Sequence, residues 1–235
     1  MKTVKFDKNH SKDFITDLRK EVEEYFKKNN LSRYGNLTMT IKSIVMLVLF
    51  FGSYMIIISG SVQSSWLFWS LWVVMGFGLA GIGMCIMHDG NHGSYSKNKF
   101  INKLMGLTLN LVGGSAKNWR IQHNKLHHTY TNIHEMDPDV SPLPMLRFSP
   151  KAKLFTIHKY QHIYAWFFYG LLSFSWATIK EFIQLSKFKK EGHVKKEEYS
   201  WLMAEMVFWK IFYYTYMLVI PLIMLDISFS YWFMC

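Results

Sequence analysis

The chain has 235 residues, of which 50% are hydrophobic and 17% aromatic, and its formal net charge is +11. Its only two cysteines, Cys85 and Cys235, are far apart, which excludes a disulfide framework and a thiolate metal site. In a soluble protein this basic excess would indicate nucleic acid binding. Here the lysines and arginines lie outside long apolar blocks, so membrane topology accounts for them and no nucleic acid partner is predicted.

The N-terminal segment, residues 1–40, is predicted to be amphipathic and cytoplasmic. Ser11 can cap a helix that runs to about Lys28. Such a helix would lie along the membrane surface or pack on the cytoplasmic body of the protein, and the pattern alone does not separate the two. Its apolar stripe consists of Phe14, Leu18, Val22 and Phe26.

Three apolar blocks, residues 41–59, 66–87 and 207–225, approach the ~20 residues needed to cross a bilayer. The basic residues flank these blocks, whereas the short connection 60–65 carries no charge. By the positive-inside rule, the N-terminus and the stretch 88–206 are cytoplasmic. The prediction is a single domain, an all-α integral membrane protein whose transmembrane helices carry a cytoplasmic helical cap.

Two further apolar stretches do not satisfy the requirements for a span. Residues 163–179 are almost long enough, but crossing there would place the lysines between Lys180 and Lys196 outside, so we expect an interfacial helix. Residues 228–235 begin a fourth span that is interrupted by the end of the chain, because a run of this length cannot cross a bilayer.

Five histidines in two short strings are the strongest chemical signal. The strings are His88-Asp-Gly-Asn-His92 and His123-Asn-Lys-Leu-His127-His128. On an α-helix, residues four apart share one face, so each string can hold a metal ion with a histidine pair. His128 would point about 100° further round and could reach a second ion. The pattern predicts a cytoplasm-facing, two-metal site, although a lone histidine is more often an ordinary hydrogen-bonded residue.

The residue types narrow the chemistry without naming the metal. Imidazole suits iron, copper, zinc and nickel alike. An intramembrane zinc protease would need His-Glu-x-x-His, and Asp-Gly-Asn fills that gap here, so proteolysis is not expected. The aromatic-rich apolar segments beside the strings favour a lipid-like substrate.

The two strings resemble the first two histidine boxes of the membrane-bound fatty acid desaturases. Gly93 and Ser94 after the first string, residues 129–132 after the second, and His158-Lys-Tyr-Gln-His162-Ile-Tyr are similar to the front-end, acyl-lipid branch. The resemblance implies a di-iron centre that uses dioxygen and two electrons to introduce a cis double bond into a fatty acyl chain. It also implies an acyl-CoA or acyl-lipid substrate and a separate cytochrome b5-like or ferredoxin-like electron donor. The iron ligands that it implies are His88, His92, His123, His127 and His128.

Each of the other residues singled out near the strings has two possible roles. Asp89 is either an acceptor for the ring N–H of a ligand or a helix-terminal acid. His158 and His162 repeat the four-residue spacing, but surface hydrogen bonding is favoured over ligation. Asp137-Pro138-Asp139 can support the second string or form an ordinary turn, and the turn is favoured. An acyl tunnel or an interfacial location would each explain the aromatic residues Trp119, Trp166 and Tyr169.

The chain departs from the desaturase pattern at its C-terminal end. Family members carry a third box, Gln-x-x-His-His or His-x-x-His-His, after a fourth transmembrane helix, and this sequence ends before it. The expectation is an incomplete desaturase, either a truncated gene product or a partial record. The alternatives are a lipid hydroxylase of the same superfamily and a catalytically inactive, truncated membrane protein.

Overall fold

The computed structural model describes residues 4, 6, 12–140 and 145–225. Within these residues the regular structure is helical throughout, without a strand, which confirms the all-α prediction. Ser11, predicted as a helix cap, and the predicted start of a fourth span at 228–235 lie outside the described residues.

Seven helical runs follow one another along the described chain, and five of them contain short π-helical or 3₁₀ stretches. The runs are α1 (Lys12–Lys28), α2 (Leu37–Ile58), α3 (Ser65–His92), α4 (Lys99–Leu111), α5 (Ala116–Arg120, Ile121–His127 and His128–Tyr130), α6 (Thr156–Tyr160, Gln161–Ser175, Trp176–Lys180 and Glu181–Lys190) and α7 (Lys196–Met224).

Helices α2, α3 and α7 are the three described helices that are long and apolar enough to cross a membrane. Most of the residues in their apolar stretches are not buried inside the protein. Apolar side chains that face outward along a full span match a lipid environment. The chain is therefore a membrane protein.

Close backbone contacts hold α2, α3 and α4 together. A Cβ atom added to Gly78 of α3 would lie 2.5 Å from the backbone nitrogen of Phe50 in α2. One added to Gly90 would lie 2.5 Å from the backbone nitrogen of Gly106 in α4. Only glycine permits two helices to approach this closely, so the glycines fix where the helices cross.

Helix α1 has the predicted amphipathic pattern, but it does not pack on the described body of the protein. None of its residues is buried, and Phe14, Leu18 and Val22 of the predicted stripe are exposed. Of the two predicted locations, this favours the membrane surface, where the stripe can be covered by lipid.

One detail of the spans differs from the expectation. The third span was expected at 207–225, which places Lys210 near its cytoplasmic entry, yet α7 begins at Lys196 and Lys210 lies buried well inside the helix. The block 163–179 is helical in α6, and no residue of Gln161–Ser175 is buried. As expected for a helix that does not span, that segment is not among the three candidate spans of the described residues.

Candidate metal centre

The first histidine string forms the C-terminal end of α3. His92 is the last helical residue, and Gly93 ends the helix with φ of +74°, a left-handed conformation that glycine adopts without strain. Gly90 provides the close contact with α4. The buried Asn91 side chain donates from Nδ2 to the Gly106 carbonyl at 3.3 Å. The helix end that carries His88 and His92 is therefore fixed against α4.

The second string lies in a π-helical stretch, Ile121–His127. In a π-helix the backbone bonds join residues five apart, so residues at i and i+5 also approach one face. The ring centres of His123 and His128 are 4.8 Å apart, slightly closer than those of His123 and His127 at 5.1 Å. The ring of His128 therefore also lies close to that of His123.

Rings from the two strings meet in one cluster. The ring centre of His123 lies 5.3 Å from that of His88 and 5.3 Å from that of His92. The ring centres of His92 and His128 are 4.9 Å apart. The two strings, which are separated by α4 and the start of α5, thus present their imidazoles to a common space.

The donor atoms in this space form two overlapping groups that are compact enough to hold a metal ion. In each group the potential ligand atoms lie within 4.8 Å of one another. Burial lowers the pKa of His123, as do the neighbouring His128 and His127, although Asp139 opposes the shift. A lowered pKa favours the neutral imidazole, which is the form that binds a metal. The groups are His88, His92 and His123, and His123, His127 and Asp139.

A buried carboxylate contacts the ring of His127 in the second string. The fully buried Asp137 has its Oδ1 and Oδ2 atoms 3.0 and 3.1 Å from Nδ1 of His127. Its carboxylate also accepts the backbone N–H groups of Asn132 and Asp139. Burial would raise the pKa of Asp137, but these hydrogen bonds and His127 outweigh it and lower the pKa. Asp137 thus stabilises the turn and also contacts His127, whereas the sequence reading had favoured the turn alone.

Asp89 lies where it can accept the ring N–H of His88, which is one of the two roles predicted for it. Its Oδ1 atom lies 3.2 Å from Nδ1 of His88. A carboxylate that accepts the second ring N–H of a histidine fixes the tautomer and leaves Nε2 for a metal.

Hydrogen bonds tie the two strings to each other and to α6. Asn124, within the second string, donates from Nδ2 to the backbone carbonyl of Asn91 at 2.9 Å. Gln122 donates to Asp139 at 2.6 Å and accepts from Gln184 of α6 at 2.7 Å. These spacer residues, which sequence analysis did not single out, maintain the relative position of the two histidine pairs.

A buried ion pair supports the start of α5. Glu181 of α6 lies 3.1 Å from Lys210 of α7 and accepts the backbone N–H of Ser115 at 2.7 Å. Lys210 also donates to three backbone carbonyls, those of Gly113, Trp176 and Ala177. Ser115 is the N-cap of the helix that leads into the second string. Sequence analysis missed this pair, because its two charges lie in separate helices.

Of the other residues predicted to belong to the site, one lies against the histidine cluster and the rest do not. Trp119 is buried and stacks on His123, with ring centres 4.4 Å apart. Trp166 and Tyr169 are exposed on α6, so they do not line an enclosed tunnel within the described residues. His158 accepts the backbone N–H of Phe155, and His162 is exposed. Neither histidine belongs to the candidate metal groups of the described chain.

Taken with the candidate transmembrane helices, this cluster defines the chain as a membrane protein whose histidines are grouped so that they could hold metal ions. Residues 64–235 match the fatty acid desaturase family. The chain belongs to that family.

Individual relatives agree with this assignment. The sn-1 linoleoyl-lipid 6-desaturase of Arthrospira platensis is 32% identical over 211 residues, covering 89% of this chain and 56% of the relative. The acyl-lipid (8-3)-desaturase of Physcomitrium patens is 36% identical over 225 residues, covering 93% of this chain and 46% of the relative. The chain thus spans about half the length of the curated relatives it matches. No solved structure matches the chain.

Proposed function

We propose that this protein acts in the oxygen-dependent desaturation of fatty acyl chains and introduces a cis double bond at a histidine-ligated di-iron centre. The observation that supports the proposal most directly is the convergence of both histidine strings on one space, with a carboxylate behind His88 and another behind His127. The family membership and the desaturase relatives agree with it.

In this proposal, five imidazoles hold the metal and two carboxylates orient them. Iron bound here would supply the oxidising chemistry that removes two hydrogens from an unactivated acyl chain, which side chains alone cannot do. Asp89 and Asp137 hold the second ring nitrogens of His88 and His127, so that these histidines keep their Nε2 atoms directed into the cluster. Trp119 covers the cluster with an apolar ring. The proposed ligands are His88, His92, His123, His127 and His128.

The substrate and the electron donor follow from the same assignment. The relatives are named for lipid-linked acyl groups, and we propose an acyl-lipid substrate here. The electrons would come from a separate cytochrome b5-like or ferredoxin-like protein. The positive-inside rule supports a cytoplasmic location for the histidine cluster, where such a soluble donor can reach it.

Fatty acid profiling tests the proposal. Cells that express the complete coding sequence should accumulate fatty acids with a new double bond, and cells that express a His92→Ala, His123→Ala variant should not. New hydroxy fatty acids without new double bonds would instead assign a hydroxylase. An unchanged profile, together with purified protein that holds no iron, would contradict the catalytic proposal.

A further inference from the structure

The first half of α6 has an apolar face that the described residues do not cover. Tyr164, Ala165 and Phe168 share one side of the helix and are half-buried, so that side faces the protein. The opposite side carries large apolar side chains, all of them exposed, whereas a helix that faced water there would carry polar residues. Trp166 is the most exposed of them, at 75%. This outer face consists of Ile163, Trp166, Phe167, Leu171 and Phe174.

A collar of cations borders the outer face at its N-terminal end. Residues 140–180 contain no aspartate or glutamate. Among the described residues, none of the ion pairs involves a cation of the collar. The collar therefore carries uncompensated positive charge, which attracts anionic groups. It consists of Arg147, Lys151, Lys153 and Lys159.

Hydrogen bonds and a ring contact hold the collar against the helix that carries the outer face. The backbone N–H of Arg147 donates to Oε1 of Gln161 at 2.7 Å, and Nε2 of Gln161 donates to the Arg147 carbonyl at 3.3 Å. Nε of Arg147 donates to the Ala152 carbonyl at 2.9 Å, which fixes the direction of the guanidinium. The rings of Phe148 and Tyr169 are stacked, with their centres 6.5 Å apart. The collar and the outer face therefore form one continuous surface.

Two lysines of the collar lie beside exposed aromatic rings. The Nζ atom of Lys153 is 5.2 Å from the ring centre of Phe155, and that of Lys159 is 6.0 Å from the ring centre of Tyr160. A cavity of about 600 Å³ opens among these groups, and Arg147, Phe155 and Lys159 contribute to its lining. Exposed aromatic rings next to cations are typical of the membrane interface, where the rings lie at the depth of the headgroups and the cations reach phosphates.

We propose that the collar and the outer face together bind anionic phospholipids of the adjacent leaflet. The outer face enters the acyl region of the leaflet, and the collar binds the phosphates, with Arg147 and Lys159 meeting one of them at the cavity. The absence of acids from residues 140–180 favours anionic over zwitterionic lipids, because no carboxylate there can hold an ammonium group. A second copy of the chain is disfavoured, since a symmetric contact would bring two positive collars together. The proposal concerns how the protein is seated in the membrane and does not depend on the desaturase function.

The lipids that co-purify with the full-length protein test the charge requirement. The protein is extracted from vesicles of equal parts phosphatidylcholine and phosphatidylglycerol, and the retained lipids are quantified by mass spectrometry. The wild-type protein should retain phosphatidylglycerol in about fivefold excess, which is the attraction expected from a single cation at the surface. The double variant Lys153→Gln, Lys159→Gln should lose most of this excess. The control Lys195→Gln, Lys196→Gln removes two exposed cations outside the collar and should keep it.

Fluorescence quenching in nanodiscs of the same two lipids tests the outer face. In a background with Cys85→Ser and Cys235→Ser, a dye on a Trp166→Cys variant should be quenched by phospholipids that carry a nitroxide in the acyl chain. The same dye on a Lys195→Cys variant should not be quenched. An unquenched dye at position 166, a cross-link between two copies there, or equal lipid ratios in the two double variants would each overturn the proposal. All four substituted lysines are exposed, so both double variants should keep the wild-type melting temperature.

Discussion

Asp89, Gly90 and Asn91 fill the gap between the first two histidines, and each makes a different contact. Asp89 lies against the ring of His88, Gly90 permits the approach of α4, and Asn91 bonds both to α4 and to the second string. The bond to the second string is donated by the Asn124 side chain and accepted by the Asn91 backbone carbonyl. The spacers therefore fix the orientation and the separation of the histidine pairs.

Asp137→Asn tests the contribution of a carboxylate that lies behind a proposed ligand. The amide keeps the volume but removes the charge that accepts the His127 ring N–H and two backbone N–H groups. Loss of such a partner weakens metal binding by about 10- to 100-fold. Iron per chain, measured by plasma emission spectrometry during titration with a chelator, should fall accordingly. Asp13→Asn, on the exposed helix α1, should leave iron unchanged, and equal iron in both variants would contradict the assigned role.

At this scale the sequence predicted which histidines pair, because a spacing of four residues is a local property of a helix. It did not predict the π-helical stretch at Ile121–His127, since such a stretch cannot be read from local spacing and depends on tertiary packing. The contact of Asp137 with His127 was likewise undetermined, because an acid beside a proline is also an ordinary turn signal.

Among the helices, the crossing of α3 and α4 positions the first string. Gly90→Ala should be poorly tolerated, because its Cβ would lie 2.5 Å from the Gly106 nitrogen and 2.8 Å from the Met105 Cβ. Overpacking of this kind costs about 1–3 kcal/mol. Gly83→Ala, in the same helix with nothing within 4 Å of the added atom, is the matched control. Thermal unfolding in detergent should show a lower Tm for Gly90→Ala only, and equal Tm values would argue against a close crossing.

The pair formed by Lys210 and Glu181 joins α7, α6 and the start of α5. Both side chains are buried, so removal of one partner leaves an uncompensated charge, at a cost of about 3–5 kcal/mol. We expect Glu181→Gln and Lys210→Met each to lower the free energy of unfolding strongly. The double variant should lose less than the sum of the two. Additive losses in a double-mutant cycle would indicate that the two charges do not interact.

Hydropathy could not reveal this element-level contact. A single lysine near the predicted start of an apolar block is ordinary for a membrane helix, and the block 207–225 left Lys210 in that position. Only the packing of α6 against α7 places a carboxylate beside it. Pairwise contacts between distant helices are not encoded in the local pattern of either helix.

For the whole molecule, the apolar blocks predicted the class of fold well, because bilayer thickness sets the length of a span directly. The proposed topology can be tested by cysteine labelling. In a background with Cys85→Ser and Cys235→Ser, a Ser61→Cys variant should react with a membrane-impermeant maleimide in intact cells. A Lys97→Cys variant should react only after the membrane is permeabilised. Labelling of Lys97→Cys in intact cells would reverse the orientation that we propose for the metal centre.

The central claim is that the two histidine strings hold metal together, and iron content tests it most directly. Purified full-length protein from iron-supplemented cells should contain iron, and replacement of one histidine from either string, His92→Ala or His128→Ala, should remove most of it. His162→Ala, an exposed histidine outside the candidate metal groups, is the matched control and should retain wild-type iron. Iron-free wild-type protein, or iron that persists when either string is altered, would contradict a shared centre.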